Sequence, residues 1–273
     1  MKSHSFPRAA RKTAAVCLAL VTVVVVGVLA FAARAAARPL PIHAHVVTDA
    51  HSRTMKDETP RAKYPTKPLA LTEDGKTILA FPPRTPAQRS PLTVVYLHGI
   101  HGRAENGCPW LREGSSELGW LVCPEANEQL ANGTFSWAGT AADQRAVVAR
   151  AERAAQAQGA DSKSASVLVG FSQGAFVALD LTAHHLGRYR GLVLIGADVA
   201  PSRAMLDASG VNRIVLAAGD LDGSSAPMKR AAEHLRREGM DVRFVSLGRI
   251  GHSYETAERE ALRDAIVWAG SSS

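Results

Sequence analysis

One stretch of nine residues limits the architectures open to this chain more than any other. Val167–Val169 is a short, β-branched apolar run of the strand type. Gly170-Phe171-Ser172-Gln173-Gly174 follows it, and Gln173–Leu186 carries apolar residues at helical spacing. A strand that runs straight into a helix must turn sharply, which leaves the central serine in a strained conformation. Side chains two positions to either side of it would collide with the neighbouring strand and helix. Gly170 and Gly174 remove those side chains, and Ala175 keeps the crowding low. The helix start beneath Ser172 offers free N–H groups and the positive end of a dipole. The pattern G-x-S-x-G alone is cheap, because both residue types are common. Its place between a strand and a helix gives it weight against the plainer reading, a tight turn with an inert serine.

The remaining chain alternates in the same way. Leu69–Leu71 and Thr77–Ala80 read as a hairpin around Asp74-Gly75. Leu92–Leu97, Trp120–Cys123, Ser166–Val169, Leu192–Ile195, Arg213–Ala217 and Val242–Leu247 read as buried strands. Thr140–Gln158, Gln173–Leu186, Pro227–Glu238 and Glu255–Trp268 read as helices, the first ending at Gly159 and the third at Gly239. Such alternation implies βαβ units, a largely parallel sheet and helices on both of its faces. Only Gly196 to Asn212 separates two of the later strands, which is too short for a large cap domain.

Before this domain come two other segments. Residues 1–37 hold Lys2, Arg8, Arg11 and Lys12, then the apolar run Ala14–Ala33, then Ala35–Ala37. A positive start, an apolar stretch and an A-x-A site describe an export signal. The run is also long enough to span a bilayer, so the leader is either a cleaved signal peptide or an uncleaved membrane anchor. Both place the domain outside the cytoplasm: periplasmic, extracellular, or tethered to the outer face of the membrane. Residues 38–68 contain five of the 14 prolines and no periodicity, as a linker or extended arm would; His43, His45 and His51 within it read as solvated histidines. The domain proper is expected over residues 69–270.

The net charge of +7 belongs mostly to the leader. Its five basic residues, with no acid, leave 27 basic against 25 acidic elsewhere, so nucleic acid is not an expected partner. Of three cysteines, Cys17 lies in the leader. Cys108 and Cys123 form an even pair, which an oxidising compartment would join. No phosphate-binding glycine loop and no zinc-ligand spacing occurs, so neither a cofactor nor a metal is expected. The sequon Asn132-Gly133-Thr134 carries little information.

With these residues in view, the chain resembles the α/β-hydrolase superfamily, and within it the compact esterase-like members, over about residues 70–268. The resemblance implies a mostly parallel central sheet and a triad in the order nucleophile, acid, base. Ser172 would be the nucleophile. The base would be His252, in a loop with Gly248 and Gly251 between the last strand and the final helix, where the family places it. The acid would follow the strand Arg213–Ala217, in the loop Gly219-Asp220-Leu221-Asp222-Gly223. Asp222 has the family's spacing from Gly219; Asp220 and Asp198 remain alternatives. The two N–H donors of an oxyanion hole would be Gln173, directly after the serine, and Ile100, with His101 second, in the loop His98-Gly99-Ile100-His101-Gly102. His98 reads as support for that loop. Trp110 and Trp137 are candidates for a substrate pocket or for ordinary packing. The implied chemistry is cleavage of a small-molecule carboxylic ester through an acyl-enzyme. A serine peptidase and an inactive binding module at the cell envelope are the competing readings.

Overall fold

The structure, a computed structural model, describes residues 64–85, 91–255, 257 and 259–271. The leader and the arm as far as residue 63 lie outside the described residues. No helix among the described residues is long and apolar enough to cross a membrane.

Among the described residues, ten strands and six helices follow in chain order: β1 (Leu69–Glu73), β2 (Lys76–Phe81), β3 (Leu92–Leu97), α1 (Ala104–Leu118), β4 (Gly119–Cys123), β5 (Glu128–Gln129), β6 (Phe135–Ser136), α2 (Ala141–Ala157), β7 (Ser166–Phe171), α3 (Gln173–His184), β8 (Tyr189–Ile195), α4 (Arg203–Ser209), β9 (Arg213–Ala218), α5 (Ser225–Arg237), β10 (Val242–Ser246) and α6 (Arg259–Gly270). Eight strands form one sheet in the order β1-β2-β4-β3-β7-β8-β9-β10. The pairs β1/β2 and β2/β4 are antiparallel, and every other neighbouring pair is parallel. Short β5 and β6 pair with each other.

The alternating apolar side chains of the parallel strands split into two cores. Val95 and Leu97 of β3 join a core under α2, α3, α4 and α5, whereas Val94 and Tyr96 join one under α1 and α6. This is the architecture the sequence implied, an α/β-hydrolase fold with helices on both faces. Between β8 and β9 the chain makes only the short α4, and among the described residues no cap domain covers the sheet.

Local chemistry explains the boundaries. Asp74 and Gly75 both take positive φ, 49° and 68°, as a two-residue hairpin turn requires. Thr140 and Asp143 cap α2 reciprocally. The helix α1 did not show in the sequence, because Gly107, Pro109 and Gly114 break its apolar period. Gly114 is needed there: a Cβ would press on the Arg263 carbonyl of α6. The Cys108–Cys123 disulfide ties α1 to β4. Five residues before the expected domain boundary, Tyr64 already accepts a hydrogen bond from Arg263 Nε at 3.1 Å and contacts Glu117.

Strand order positions the site. From β3 the chain goes to β4 on one side, then returns across β3 to β7 on the other. The loops leaving β3 and β7 therefore diverge and open a crevice at the carboxyl ends of these strands.

Candidate active site

Ser172 stands at that crevice, between β7 and α3, with φ 51° and ψ −117°. Only the crowding around it holds a non-glycine residue in such a conformation. A Cβ on Gly170 would press into the Gly174 carbonyl, and one on Gly174 into the Leu97 carbonyl. The two glycines thus let β7, α3 and the end of β3 meet.

Ser172 Oγ lies 3.0 Å from His252 Nε2, and His252 Nδ1 lies 2.8 Å from Asp222 Oδ2. The other oxygen, Asp222 Oδ1, accepts from the Ser224 N–H at 2.8 Å and the Ser224 hydroxyl at 2.9 Å. Burial alone would raise the Asp222 carboxyl. The Ser224 donors and the His252 ring outweigh it and hold the group below the ordinary carboxylate range. The acid loop is joined to the histidine loop through its backbone: Asp220 N–H donates to Gly248 O at 2.8 Å and Leu221 N–H to Ile250 O at 3.0 Å. Of the two rival acids, Asp220 turns away and accepts from Ser246 Oγ, and Asp198 is exposed outside the cluster.

Two more groups surround the histidine. The Phe171 ring lies against His252 with centroids 4.9 Å apart, and meets Tyr254 edge-on at 4.7 Å. Gly196 takes φ 61°, which strains any side chain, and a Cβ there would crowd the pair, 3.2 Å from Asp222 Oδ2 and 3.3 Å from His252 Cε1.

The loop after β3 sits beside Ser172; a Cβ on Gly99 would be 3.1 Å from Ser172 Cβ. A turn closes it, with Gly102 N–H donating to Gly99 O at 3.0 Å and His101 at φ 57°. Neither the Ile100 N–H nor the Gln173 N–H has an acceptor among the described residues. Buried His98 holds the loop from below. A carbonyl only accepts, so its Nδ1–H donates to Gly99 O at 2.8 Å, and Nε2 accepts from the Ala126 N–H at 3.1 Å. Glu125, next to Ala126, accepts from the first N–H of α1, that of Ala104, at 3.0 Å.

Trp137 is buried, and its Nε1–H donates to His98 O at 2.9 Å. Trp110 packs on the α1/α6 core with the Arg259 guanidinium above its ring. Neither lines the cavity of about 280 Å³ beside the triad, whose walls include Tyr96, Ile100, Arg103, Asn106, Phe171 and His252. Sequence reasoning missed Ser136, Phe171 and Gly196. The only local sign of Phe171 was its place inside the glycine-serine motif. Among the described residues, no cluster of histidine, cysteine or acidic groups could hold a metal ion.

An oriented serine, imidazole and carboxylate in hydrogen-bonded series can generate an alkoxide-like nucleophile. Two unengaged N–H groups beside it can receive a developing oxyanion. His252 is about half-exposed, its side chain at 52%, so the constellation opens directly to solvent.

No protein family's sequence profile matches the chain. No curated protein matches it. Solved structures do. The chain is similar to XC6422 from Xanthomonas campestris, described as an α/β serine hydrolase without lid, with TM-score 0.54 and 20% identity over 74% of this chain and 93% of that one. It is similar to FphF of Staphylococcus aureus, a fluorophosphonate-binding serine hydrolase with substrate bound, with TM-score 0.54 and 13% identity over 77% and 99%. It is also similar to Est1E of Butyrivibrio proteoclasticus with ferulic acid bound, with TM-score 0.52 and 13% identity over 73% and 96%. At these identities the likeness establishes the α/β-hydrolase fold.

Proposed function

We propose that this protein, built on the α/β-hydrolase fold, is a serine hydrolase that cleaves carboxylic esters through an acyl-enzyme. The observation that carries the reading is the unbroken series from Ser172 Oγ through His252 to Asp222, at 3.0 and 2.8 Å, on a strained strand-to-helix turn. Ser172 attacks the ester carbonyl while His252 Nε2 takes its proton. Asp222 holds the ring with Nδ1–H toward it and stabilises the imidazolium. The Ile100 and Gln173 N–H groups receive the oxyanion. His252 then returns the proton to the leaving alcohol, and water repeats the sequence on the acyl-enzyme.

An ester is favoured over a peptide by the site's shape. The cavity beside the triad is small, about 280 Å³, and partly polar, with Arg103 and Asn106 on its walls. It suits a compact acyl or alcohol portion better than an extended chain, which would need a groove. No cofactor takes part in this chemistry. We further propose that the leader exports the domain, cleaved or kept as a tether, so that it acts outside the cytoplasm; the Cys108–Cys123 disulfide supports an oxidising compartment.

The test is labelling with a fluorophosphonate, followed by turnover of nitrophenyl esters of increasing chain length beside peptide anilides. Wild-type protein is expected to label and to favour short esters, and Ser172→Ala to do neither. Labelling that persists in Ser172→Ala would refute the assignment, and preference for the anilides would replace esterase by peptidase.

A further inference from the structure

The triad makes no use of the segment Phe135–Trp137, yet that segment bonds to both sources of the expected oxyanion donors. On one side, Phe135 N–H donates to Gly102 O at 3.0 Å and Trp137 Nε1–H to His98 O at 2.9 Å. Both acceptors flank Ile100. On the other side, the Gln173 side-chain amide clasps Trp137 twice. Its Oε1 accepts from the Trp137 N–H at 3.1 Å, and its Nε2–H donates to the Trp137 carbonyl at 3.1 Å, with Ser136 Oγ at the same distance.

These contacts answer a geometric need. An oxyanion hole works best when two N–H groups converge on one point, each about 2.7–3.1 Å from it. Here the donors belong to separate pieces of chain. The register Leu97↔Gly170 fixes β3 and β7 to each other as far as the strand ends. Beyond Leu97 the strand pairing ends: His98 and Gly99 are buried, Ile100 and His101 are exposed, and His101 takes positive φ, so the loop's position depends on the hydrogen bonds that hold it. Trp137 spans the gap between this loop and α3.

We propose that Trp137 and the side chain of Gln173 are positioning residues that set the separation of the Ile100 and Gln173 N–H groups. The proposal rests on the serine-hydrolase reading and assigns these side chains a role in it beyond packing. An error of about 1 Å in such a site costs on the order of 10²-fold in rate.

The experiment compares wild type, Gln173→Met and Trp137→Phe. Methionine keeps the volume and the backbone N–H of residue 173 but none of the amide bonds. Phenylalanine keeps an aromatic ring but removes the bond to His98. Each is assayed on a short nitrophenyl ester and on its thiono analogue, whose sulfur is a poor acceptor for the N–H donors. Each variant is expected to lose about tenfold to 100-fold in kcat on the oxygen ester with KM little changed. The thiono ester should lose less, so the preference for oxygen over sulfur narrows. Packing alone would lower both substrates together. If Trp137→Phe does not fold, Gln173→Met carries the test, since Gln173 is only partly buried. Unchanged kcat and oxygen preference in Gln173→Met, in protein still labelled at Ser172, overturns the proposal and leaves the serine-hydrolase reading standing. A loss confined to KM does the same, and normal behaviour of Trp137→Phe alone removes Trp137 from the role. Wild-type protein without Ser172-dependent turnover overturns both.

Discussion

His252 reaches Ser172 from a loop joined to the acid loop backbone to backbone, whereas Ile100 reaches it from a loop held by a separate segment through a mixture of backbone and side-chain bonds. On the triad side, residues 248–250 accept hydrogen bonds from the acid loop, so the acid and the base arrive together. On the oxyanion side, residues 98–102 depend on Trp137, Phe135 and Ala126, which come from the chain between β4 and α2 that carries the short β5/β6 pair. The difference is one of tolerance. On the proposed reading the triad acts as a unit, so losing one member removes most of what the three supply together. The oxyanion side is a matter of degree, because a displaced donor still donates in part.

That contrast sets the order of the expected effects. Ser172→Ala should lower turnover the most, by about 10⁴ to 10⁶, as loss of one triad member does elsewhere. Steady-state rates on one activated ester check this, and near-normal turnover would end the comparison, since there would be no such unit. Asp222→Asn comes next. It keeps the shape but disfavours the productive histidine tautomer, a change that costs about 10⁴ in a serine protease. Asp220→Asn and Asp198→Asn should each lose less than about tenfold, about 1.4 kcal/mol of barrier. If either rival proves the more damaging, the stitched acid loop is not what aims the histidine.

The disulfide tests the other side. It holds α1, whose first turn follows directly on the oxyanion loop and walls the cavity. Replacing Cys108 and Cys123 together by serine should lower unfolding stability by about 3 kcal/mol, from a loop with a sequence separation of 15. Urea titration measures it, and non-reducing peptide mapping should recover the linked pair from protein isolated without reductant. The smallest effect concerns acid. Because the Asp222 carboxyl is depressed when folded, its contribution to stability is complete above its unfolded value, about 3.9, and is lost as pH falls through the lower folded one. The gap in urea midpoint between wild type and Asp222→Asn should therefore stay constant at neutral pH and close below about pH 4. A gap that widened with acid would show that the pair is not the stabilised element.

The same contrast explains what could be read from the sequence. Ser172, His252 and Asp222 have chemistry that few residue types supply, and each follows a strand visible as an apolar run, so the fold and the proposed triad could be read together. The strands came through nearly intact, with Leu92–Leu97 expected and found. By contrast, the proposed oxyanion donors are backbone groups that every residue except proline carries, so their identity rested on resemblance alone. The segment that braces them has no periodicity, and Trp137 reads as well for pocket lining as for support. The helix α1 was hidden for a related reason: its small residues serve close approach to Tyr96, Tyr254 and α6, which no one-dimensional pattern reports.

The backbone at Ser172 has one more consequence, for the way such a chain would age in a genome. At φ 51° and ψ −117°, a side chain of any kind works against the fold, on the order of 1–3 kcal/mol, and glycine would relieve it. Selection for durability alone therefore pulls this position toward glycine, while selection for chemistry pulls it toward serine. A duplicate copy freed from its reaction would gain robustness by losing its hydroxyl. A lineage that keeps the hydroxyl carries the burden in every generation, and only use would sustain it.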